Sequence, residues 1–414
     1  FYQETQLVDG PLLLSHAMPA AQSVALGVFV DVGSRDESAA QAGISHALEH
    51  MLFKGTKQMD VHALAEKLDE LGGNANAFTS RERTCFHLHV LHEHWQESLA
   101  LLVGMVREPA LPKEEWQRER EVIYAEMAMV EDTPEEWVMD QHVEALFSDH
   151  ELGNPVLGNH EALASITTDA LAAYLQQHYS DKHLLIVAAG RIDHAELVEA
   201  LSCLSWPVSK TALDRKKPLR TASGIQSLER DGEQAQIVLS YPGIVVDADD
   251  RPVAWLANQL LGGGMSSRLF REVREKRGLA YSVGSHLSML SDAGVWTITC
   301  GSEPARAAES ISVLQDVLAS FAESVNADEL ERAKRQMEVQ FRMGLDSVEG
   351  QMLYLGGRLD ESTLLSPMAW LERICAVDVE QVRRWSAEHL AKPCLWSVAA
   401  PAEVLQSAIA SIRV

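Results

Sequence analysis

The stretch His46-Ala47-Leu48-Glu49-His50 places two imidazoles four residues apart and a carboxylate beside the second. On a helix, residues i and i+4 lie on the same face with their Cβ atoms about 5–6 Å apart, so both rings can reach one cation. Imidazole is a common zinc ligand, and a neighbouring glutamate can take a proton from water at the metal. The arrangement is H-x-x-E-H, the reverse of the H-E-x-x-H zinc-protease motif. Because the chain has 16 histidines, the motif needs support from the rest of the sequence.

The composition is that of an ordinary globular protein. The chain has 414 residues, of which 46% are hydrophobic and 23% are charged, and this length suggests two or three domains. No apolar run approaches the roughly 18 residues of a membrane span, so no membrane partner is expected. The formal net charge of −25 opposes binding to nucleic acid or to anionic membranes. It would suit basic peptide substrates, although solubility is the simpler explanation.

The five cysteines are odd in number and widely spaced, without a C-x-x-C pair. This pattern argues against a disulfide scaffold or a cysteine-based zinc site and favours a reducing compartment. We therefore expect a cytoplasmic protein. Because the sequence begins at Phe1 rather than at a methionine, a removed targeting peptide and a periplasmic location stay open.

Hydrophobic periodicity predicts a series of strands and helices in the first half of the chain. Strands are expected at residues 6–16, 23–33, 74–91 and 183–190. Helices are expected at residues 42–52, which carry the metal motif, and at residues 61–71, 95–106 and 114–129. Gly72 and Gly73 end the second of these helices, and Pro112 marks the start of the last.

The order of elements repeats after a polar and basic segment at residues 206–226, which we interpret as a solvated interdomain linker. Strand 236–240 corresponds to the start of strand 23–33, an offset of 236 − 23 = 213 residues. Helices 253–261, 311–321 and 329–343 correspond to the metal-motif helix and to helices 95–106 and 114–129. The sequence therefore predicts an α+β fold of two similarly folded domains, each a mostly antiparallel sheet with helices packed on one face. Residues 1–205 would form the zinc-bearing catalytic domain, and residues 227–414 a similar, substrate-holding domain without metal ligands.

The second half lacks the side chains of the motif. In this alignment His46, Glu49 and His50 correspond to Leu256, Gln259 and Leu260, and Glu126 falls near Gln340. One metal site per chain follows.

Glu126 is the best candidate for a third ligand, because a catalytic zinc ion needs three protein ligands and an open position. It lies 126 − 50 = 76 residues beyond His50. Glu119 precedes it by two helical turns, so both carboxylates share a helix face. Acid-rich helices are usually solvated faces, and this helix alone leaves that interpretation open.

Several motifs together resemble a known family, the zinc peptidases that include pitrilysin, insulysin and the β subunit of mitochondrial processing peptidase. The chain looks most like the short, half-length bacterial members, and the resemblance covers nearly all of it. The matching segments, in order, are His46-Ala47-Leu48-Glu49-His50, Phe53-Lys54-Gly55-Thr56, residues 72–80, the pair Glu119 and Glu126, residues 261–270, and Arg274 to Tyr281.

The resemblance implies a role for each of these residues. His46, His50 and Glu126 would bind one Zn²⁺ per chain, with Glu49 as the general base and Glu119 as a supporting carboxylate. Arg274 and Tyr281 would hold the substrate carbonyl from the second half. Asn76, Ala77, Phe78 and Thr79 would form the strand against which a substrate peptide lies extended, by β-augmentation.

The expected function is therefore zinc-dependent endopeptidase activity on peptides or short unfolded segments inside a chamber. In the family, the metal-bearing half of one unit faces the other half of a second unit. Because both sets of residues occur in this chain, a homodimer is favoured over a heterodimer with a related subunit. The alternatives are a catalytically silent partner subunit, which typically lacks ligands or base, and S-ribosylhomocysteine lyase. That lyase shares H-x-x-E-H but takes a cysteine as third ligand, and no cysteine lies between Cys85 and Cys203.

Overall fold

The computed structural model describes residues 2–208, 213–218, 221–359 and 364–413. The chain forms two compact units. The first comprises Phe1–Ala128, Asn154–Lys216 and Arg342–Leu364, and the second comprises Met129–Gly153, Lys217–Phe341 and Leu365–Val414. Each unit therefore takes one segment from the opposite half of the sequence, an exchange that the periodicity does not predict.

The first half of the chain contains six strands and eight α-helices within its described residues. The strands are β1 (Gln3–Gln6), β2 (Leu12–Ala17), β3 (Ser23–Val30), β4 (Asn74–Thr79), β5 (Thr84–Leu91) and β6 (Leu184–Gly190). The helices are α1 (Ile44–Leu52), α2 (Val61–Glu70), α3 (Trp95–Arg107), α4 (Lys113–Asp132), α5 (Pro134–Leu146), α6 (His160–Ser165), α7 (Thr168–His178) and α8 (His194–Ser202).

The second half has a similar succession of elements in its described part. The strands are β7 (Gly224–Glu229), β8 (Ala235–Pro242), β9 (Ala280–Met289), β10 (Gly294–Ser302) and β11 (Leu395–Ala400). The helices are α9 (Arg251–Gly262), α10 (Ala307–Ser324), α11 (Ala327–Gly344), α12 (Val348–Gly356), α13 (Pro367–Ala376), α14 (Val379–His389) and α15 (Ala402–Ala410).

The sheet of the first unit has the strand order β1-β2-β6-β3-β5-β4. Only β2 and β6 are parallel, and the other neighbours are antiparallel. Strands β3 and β6 are central and apolar, and nearly all of their residues are buried. One face of the sheet packs against a core that includes buried residues of α1, α3 and α7. Strand β4 lies at the sheet edge beside this core, which places it next to the motif helix.

The opposite face of the first sheet is covered by α12, which comes from the second half of the sequence. Met352 and Leu355 of this helix join a buried cluster with Phe29 of β3 and Cys85 of β5. Gly356 has to be small, because a Cβ there would lie 2.3 Å from the ring of Phe29.

The sheet of the second unit has the strand order β7-β11-β8-β10-β9. Only β7 and β11 are parallel. Helices α9, α10 and α14 supply buried residues to the core on one face. On the other face, Val138 of α5 packs with Val238 and Ala399, so α5 is the segment that this unit receives from the first half.

These observations confirm the predicted fold class: two similar domains, each built on a mostly antiparallel sheet with its main helical layer on one face. The expected helices lie within a few residues of their predicted positions, including the motif helix. One strand prediction was wrong in detail, because residues 6–16 do not form a continuous strand. A turn closed by hydrogen bonds between Leu7 and Pro11 and between Gly10 and Leu7 separates β1 from β2.

The described part of residues 206–226 is more ordered than the solvated linker that the composition indicates. Trp206 belongs to the core of the first unit, and residues 224–226 already form β7. Arg215 is largely buried and donates hydrogen bonds to Asp31 at 2.9 Å and to Asp36 at 2.8 Å. The interpretation of the basic cluster as solvated was therefore wrong for Arg215. Lys210 and Arg220 of that cluster lie outside the described residues.

Candidate metal centre and active site

Helix α1 orients the motif because its apolar residues fix its buried face. Ile44, Leu48 and Met51 are fully buried in the core of the first unit. The two imidazoles and the carboxylate of Glu49 lie on the less buried side. The ring centroids of His46 and His50 are 4.7 Å apart, as the i, i+4 spacing predicts.

The start of α1 is held by a carboxylate outside the motif. Gly43 precedes the helix with a φ of 92°, and a Cβ there would lie 2.7 Å from the carbonyl oxygen of Leu157. Glu37 accepts hydrogen bonds from the backbone N–H groups of Gly43 at 2.7 Å and Ser45 at 2.8 Å. N–H groups at the start of a helix have no acceptor within the helix. The side chain of Glu37, which precedes the helix in the sequence, therefore caps its N-terminus. Burial raises the pKa of Glu37 to about 8, although the two N–H donors oppose the rise.

Glu126 of α4 meets both imidazoles of α1. One of its carboxylate oxygens, Oε2, lies 3.7 Å from Nε2 of His46 and 3.6 Å from Nε2 of His50. The potential ligand atoms of these three residues all lie within 4.8 Å of one another. Within the described residues, this is the one group of histidine, cysteine and acidic side chains with such a geometry.

The three residues fit a zinc ion in number and chemistry, and the two separations from Glu126 fit in spacing. Zinc–ligand distances of about 2.0–2.2 Å in a tetrahedral site put two ligands of one ion roughly 3.3–3.6 Å apart. The two distances to Glu126 are at or just above this range. Burial, assisted by the neighbouring His50, lowers the pKa of His46 to about 4. The ring is therefore neutral at pH 7, and a neutral imidazole has the lone pair that a metal ligand needs.

Glu119, two turns before Glu126, links His50 to a lysine. Its Oε2 lies 3.0 Å from Nδ1 of His50, and its Oε1 lies 2.7 Å from Nζ of Lys54. Burial pushes the pKa of Glu119 upwards, but the hydrogen bonds and charges of Lys54 and His50 outweigh it and hold the pKa below its usual value. An ionised Glu119 keeps the Nδ1 proton on His50, which leaves Nε2 free to face Glu126.

The carboxyl group of Glu49 is half-buried beside the two imidazoles. Burial raises its pKa, although a hydrogen bond from Thr79 and the charge of His50 act in the opposite direction. The Thr79 hydroxyl donates to Oε2 of Glu49 at 2.5 Å. A carboxylate with a raised pKa next to a candidate metal site is suited to accept a proton.

Strand β4 carries the four residues predicted to contact an extended peptide, which are Asn76, Ala77, Phe78 and Thr79. It pairs with β5 along one side, and it stands at the end of its sheet among the described strands. Exposure alternates along it: Asn76 and Phe78 are exposed, whereas Ala77 and Thr79 are half-buried. Because β4 pairs with β5 on one side only among the described strands, the N–H and C=O groups on its other side can bind an added strand.

Arg274 and Tyr281 lie together in the second unit. The guanidinium of Arg274 is 4.7 Å from the ring centroid of Phe270 and 5.0 Å from that of Tyr281. Arg274 lies in a short π-helical segment, Phe270–Glu275, and Tyr281 on β9 is 76% exposed. The positions that align with the two histidines of the motif are apolar here, since Leu256 and Leu260 of α9 are buried in the core.

Sequence reasoning missed three contacts of the site: Glu37 with the start of α1, Lys54 with Glu119, and Thr79 with Glu49. For Lys54, its position one turn after His50 was an available signal. No pattern in the sequence indicates that Glu37 or Thr79 reaches α1, because both contacts depend on how loops and strands pack.

Two family models match the chain. One, described as Insulinase (Peptidase family M16), matches residues 12–160, and one described as Peptidase M16 inactive domain matches residues 165–337. These matches place the chain in the class of metallopeptidases. It belongs to the insulinase family, peptidase family M16, as the motifs indicate. This membership removes the lyase alternative.

Curated relatives agree with this assignment. An uncharacterized zinc protease of Streptomyces coelicolor is 33% identical over 410 residues, which cover 96% of this chain and 89% of that protein. An uncharacterized zinc protease of Bacillus subtilis is 36% identical over 346 residues, covering 83% of this chain and 84% of that protein.

Two solved structures share the fold. A structure titled as the peptidase M16 inactive domain from Pseudomonas fluorescens has a TM-score of 0.90 at 22% identity, covering 97% of this chain and 98% of that chain. A protease from Helicobacter pylori has a TM-score of 0.89 at 20% identity, covering 97% of this chain and 100% of that chain. Among the described residues, no helix is both long and apolar enough to span a bilayer.

Proposed function

We propose that this chain is a zinc-dependent endopeptidase that holds one zinc ion through His46, His50 and Glu126. The observation that carries the proposal is the approach of both Nε2 atoms to Oε2 of Glu126, at 3.7 and 3.6 Å, with Glu49 on the same helix. Zinc at such a site supplies Lewis acidity, which polarises a carbonyl and acidifies water. The relatives that are named zinc proteases support the choice of metal.

Glu49 and Glu119 of the first unit have separate roles in the proposed reaction. Glu49 accepts the proton of the attacking water and returns it to the leaving amine. Its half-buried position supports this role, since burial favours the protonated form that the second step requires. Glu119 orients His50 through Nδ1 and is itself held by Lys54.

The substrates we propose are peptides and short unfolded protein segments, bound in a chamber. A peptide added to the outer edge of β4 gains backbone hydrogen bonds with little demand on its sequence. Arg274 and Tyr281, which the family resemblance assigns to the substrate carbonyl, have the required chemistry: a cationic donor and a hydroxyl donor side by side.

The test compares wild type with Glu49→Gln on an unbiased peptide mixture, with zinc content measured for both. We expect Glu49→Gln to keep its zinc and to lose cleavage by at least about 10²-fold, the usual size of a general-base effect. Glu66→Gln is the matched control, because Glu66 is an exposed residue of α2 in the same unit. Undiminished cleavage by Glu49→Gln would remove Glu49 from the mechanism.

The alternative of a catalytically silent partner subunit predicts a different result. In that case the wild-type chain binds zinc without cleaving any peptide of the mixture, and cleavage appears only after a related subunit is added. The presence of all four residues, His46, Glu49, His50 and Glu126, favours the active enzyme.

We further propose that the enzyme is a homodimer, in which the metal-bearing half of one chain works with the second half of another. Both residue sets occur in this chain, so no related subunit is required. Co-expression of differently tagged Glu49→Gln and Tyr281→Phe chains tests this. If chambers form between two copies, mixed dimers regain one intact chamber and the pool recovers up to about a quarter of wild-type activity. Monomers in light scattering would contradict the proposal.

The cytoplasm is the compartment we propose, with the periplasm as the alternative. All five cysteines are unpaired thiols, which fits a reducing environment. Fractionation of the native host, with the protein found in the periplasmic fraction, would overturn this assignment.

A further inference from the structure

We propose that Thr79 is a positioning residue that holds the carboxylate of Glu49 in the orientation needed for proton transfer. This inference rests on the proposed function, in which Glu49 is the general base. It adds to Thr79 a role separate from its expected contact with a substrate peptide. The geometry that carries it is the hydrogen bond from the Thr79 hydroxyl to Oε2 of Glu49, at 2.5 Å.

The hydroxyl of Thr79 is fixed by the backbone on which it stands. Thr79 is the last residue of β4 and pairs with Thr84 of β5. The turn that follows is closed by a hydrogen bond from the N–H of Ser80 to the carbonyl of Arg83 at 2.7 Å. Threonine is branched at Cβ, so few χ1 rotamers are available to it. The donor therefore stays in place while a long glutamate side chain adapts to it.

The bond has a chemical consequence for Glu49. A glutamate side chain has three rotatable bonds, and ordering it costs free energy. With Oε2 accepting a hydrogen bond from the Thr79 hydroxyl, we assign to Oε1, the oxygen without this bond, the role of accepting a proton from water. A charge-assisted hydrogen bond is roughly twice as strong as a neutral one, which is enough to favour one carboxylate orientation. A general base has to lie within about 2.6–3.2 Å of the proton donor, so losing this orientation slows the reaction.

The location of Thr79 joins two parts of the site. The residue belongs to the edge strand that we expect to receive the peptide, and its side chain lies on the half-buried face of that strand. One strand thus positions the base through a side chain while its backbone edge is available for pairing. We expect removal of the hydroxyl to affect turnover and to leave peptide pairing intact, because strand addition uses backbone groups.

The test measures kcat, KM, zinc content and thermal unfolding for Thr79→Val, Thr79→Ser and the control Thr5→Val. Thr5 is also a strand threonine of the first unit, and its hydroxyl bonds to the ring of His194 at 2.8 Å. We expect Thr79→Val to lower kcat about 10- to 100-fold, the range for a hydrogen bond to a charged group. KM and zinc content should stay at wild-type values. Thr79→Ser should recover most of kcat, and Thr5→Val should leave it unchanged.

Three results would overturn the inference: a wild-type kcat in Thr79→Val, a kcat in Thr79→Ser as low as in Thr79→Val, or a loss confined to KM. If Thr79→Val does not fold, Thr79→Ala replaces it under the same criteria. The outcome for Glu49→Gln separates this inference from the proposed function. An inactive Glu49→Gln beside a fully active Thr79→Val removes only the role of Thr79, whereas an active Glu49→Gln removes the proposed function itself.

Discussion

Replacing Glu119 by glutamine should weaken zinc binding, although Glu119 is not one of the three proposed ligands of the metal. Glu119 is 8% exposed and uses one oxygen for each of two donors, His50 and Lys54. A glutamine amide has only one oxygen, so one donor will face an NH2 group. Loss of a hydrogen-bond partner behind a metal ligand typically costs 10- to 100-fold in metal affinity, or about 1.4–2.7 kcal/mol. We expect Glu119→Gln to fall in this range.

Competition with a chromophoric chelator measures this change directly, without reference to catalysis. Glu121→Gln is the matched control, since Glu121 lies on the same helix and is exposed. It should bind zinc as wild type does. If Glu119→Gln binds zinc as tightly as the control, the argument that Glu119 sets the tautomer of His50 is wrong.

Three further changes test other parts of the account. Tyr281→Phe should lower kcat/KM about tenfold, because one hydrogen bond at the substrate carbonyl is lost. Its zinc content should not change, and a loss of zinc would mean that the role of Tyr281 is misassigned. Burial lowers the pKa of His142 to about 4, so the unfolded state binds the proton more readily and stability falls as pH drops from about 6.5 towards 4. In urea unfolding, His142 should contribute about 2 kcal/mol to the change in stability between pH 7 and pH 5, so wild type should lose about 2 kcal/mol more than His142→Gln over this range. Equal changes in the two proteins would refute it. Gly356→Ala should destabilise the protein by about 1–3 kcal/mol, because the added Cβ clashes with Phe29. The control is Gly104→Ala, which should not destabilise it, because Gly104 is a helical glycine with open space around it. Equal melting temperatures of the two variants would contradict the packing of α12.

The elements that the sequence predicts well are those with strong periodicity. Helices α3 and α4 each follow one period over two or more turns, and their observed bounds lie within a few residues of the expected ones. The alternating region 74–91 was predicted as strand, and the structure divides it into β4 and β5. The exchange of α5 and α12 was not predictable in this way. A periodic pattern shows that a helix has an apolar face, but it does not specify the sheet against which that face will pack.

Arg215 shows a second limit of sequence reasoning. A basic run between two halves is typical of a solvated connection, yet this arginine is largely buried and forms ion pairs with Asp31 and Asp36. The two acidic partners lie about 180 residues earlier in the chain, at sequence separations of 184 and 179. Composition does not encode such a pairing.

In the candidate site, too, contacts within one helix were predictable from the sequence, whereas most contacts between elements were not. His46, Glu49 and His50 share one helix, so their proximity follows from helical geometry alone. The approach of Glu126 depends on how α4 packs against α1, and the sequence suggested it only through the family resemblance. The contacts of Glu37, Lys54 and Thr79 each join different elements of the fold. Local sequence patterns therefore contain no signal for the contacts of Glu37 and Thr79.

The most direct measurement is the position of the metal itself, from anomalous scattering at the zinc absorption edge in crystals of the zinc-loaded protein. We predict one peak per chain, about 2.0–2.2 Å from a nitrogen of each imidazole of α1 and from an oxygen of Glu126. A peak located elsewhere, or one bound by the imidazoles with the carboxylate of Glu126 turned away, would contradict the assignment of the site.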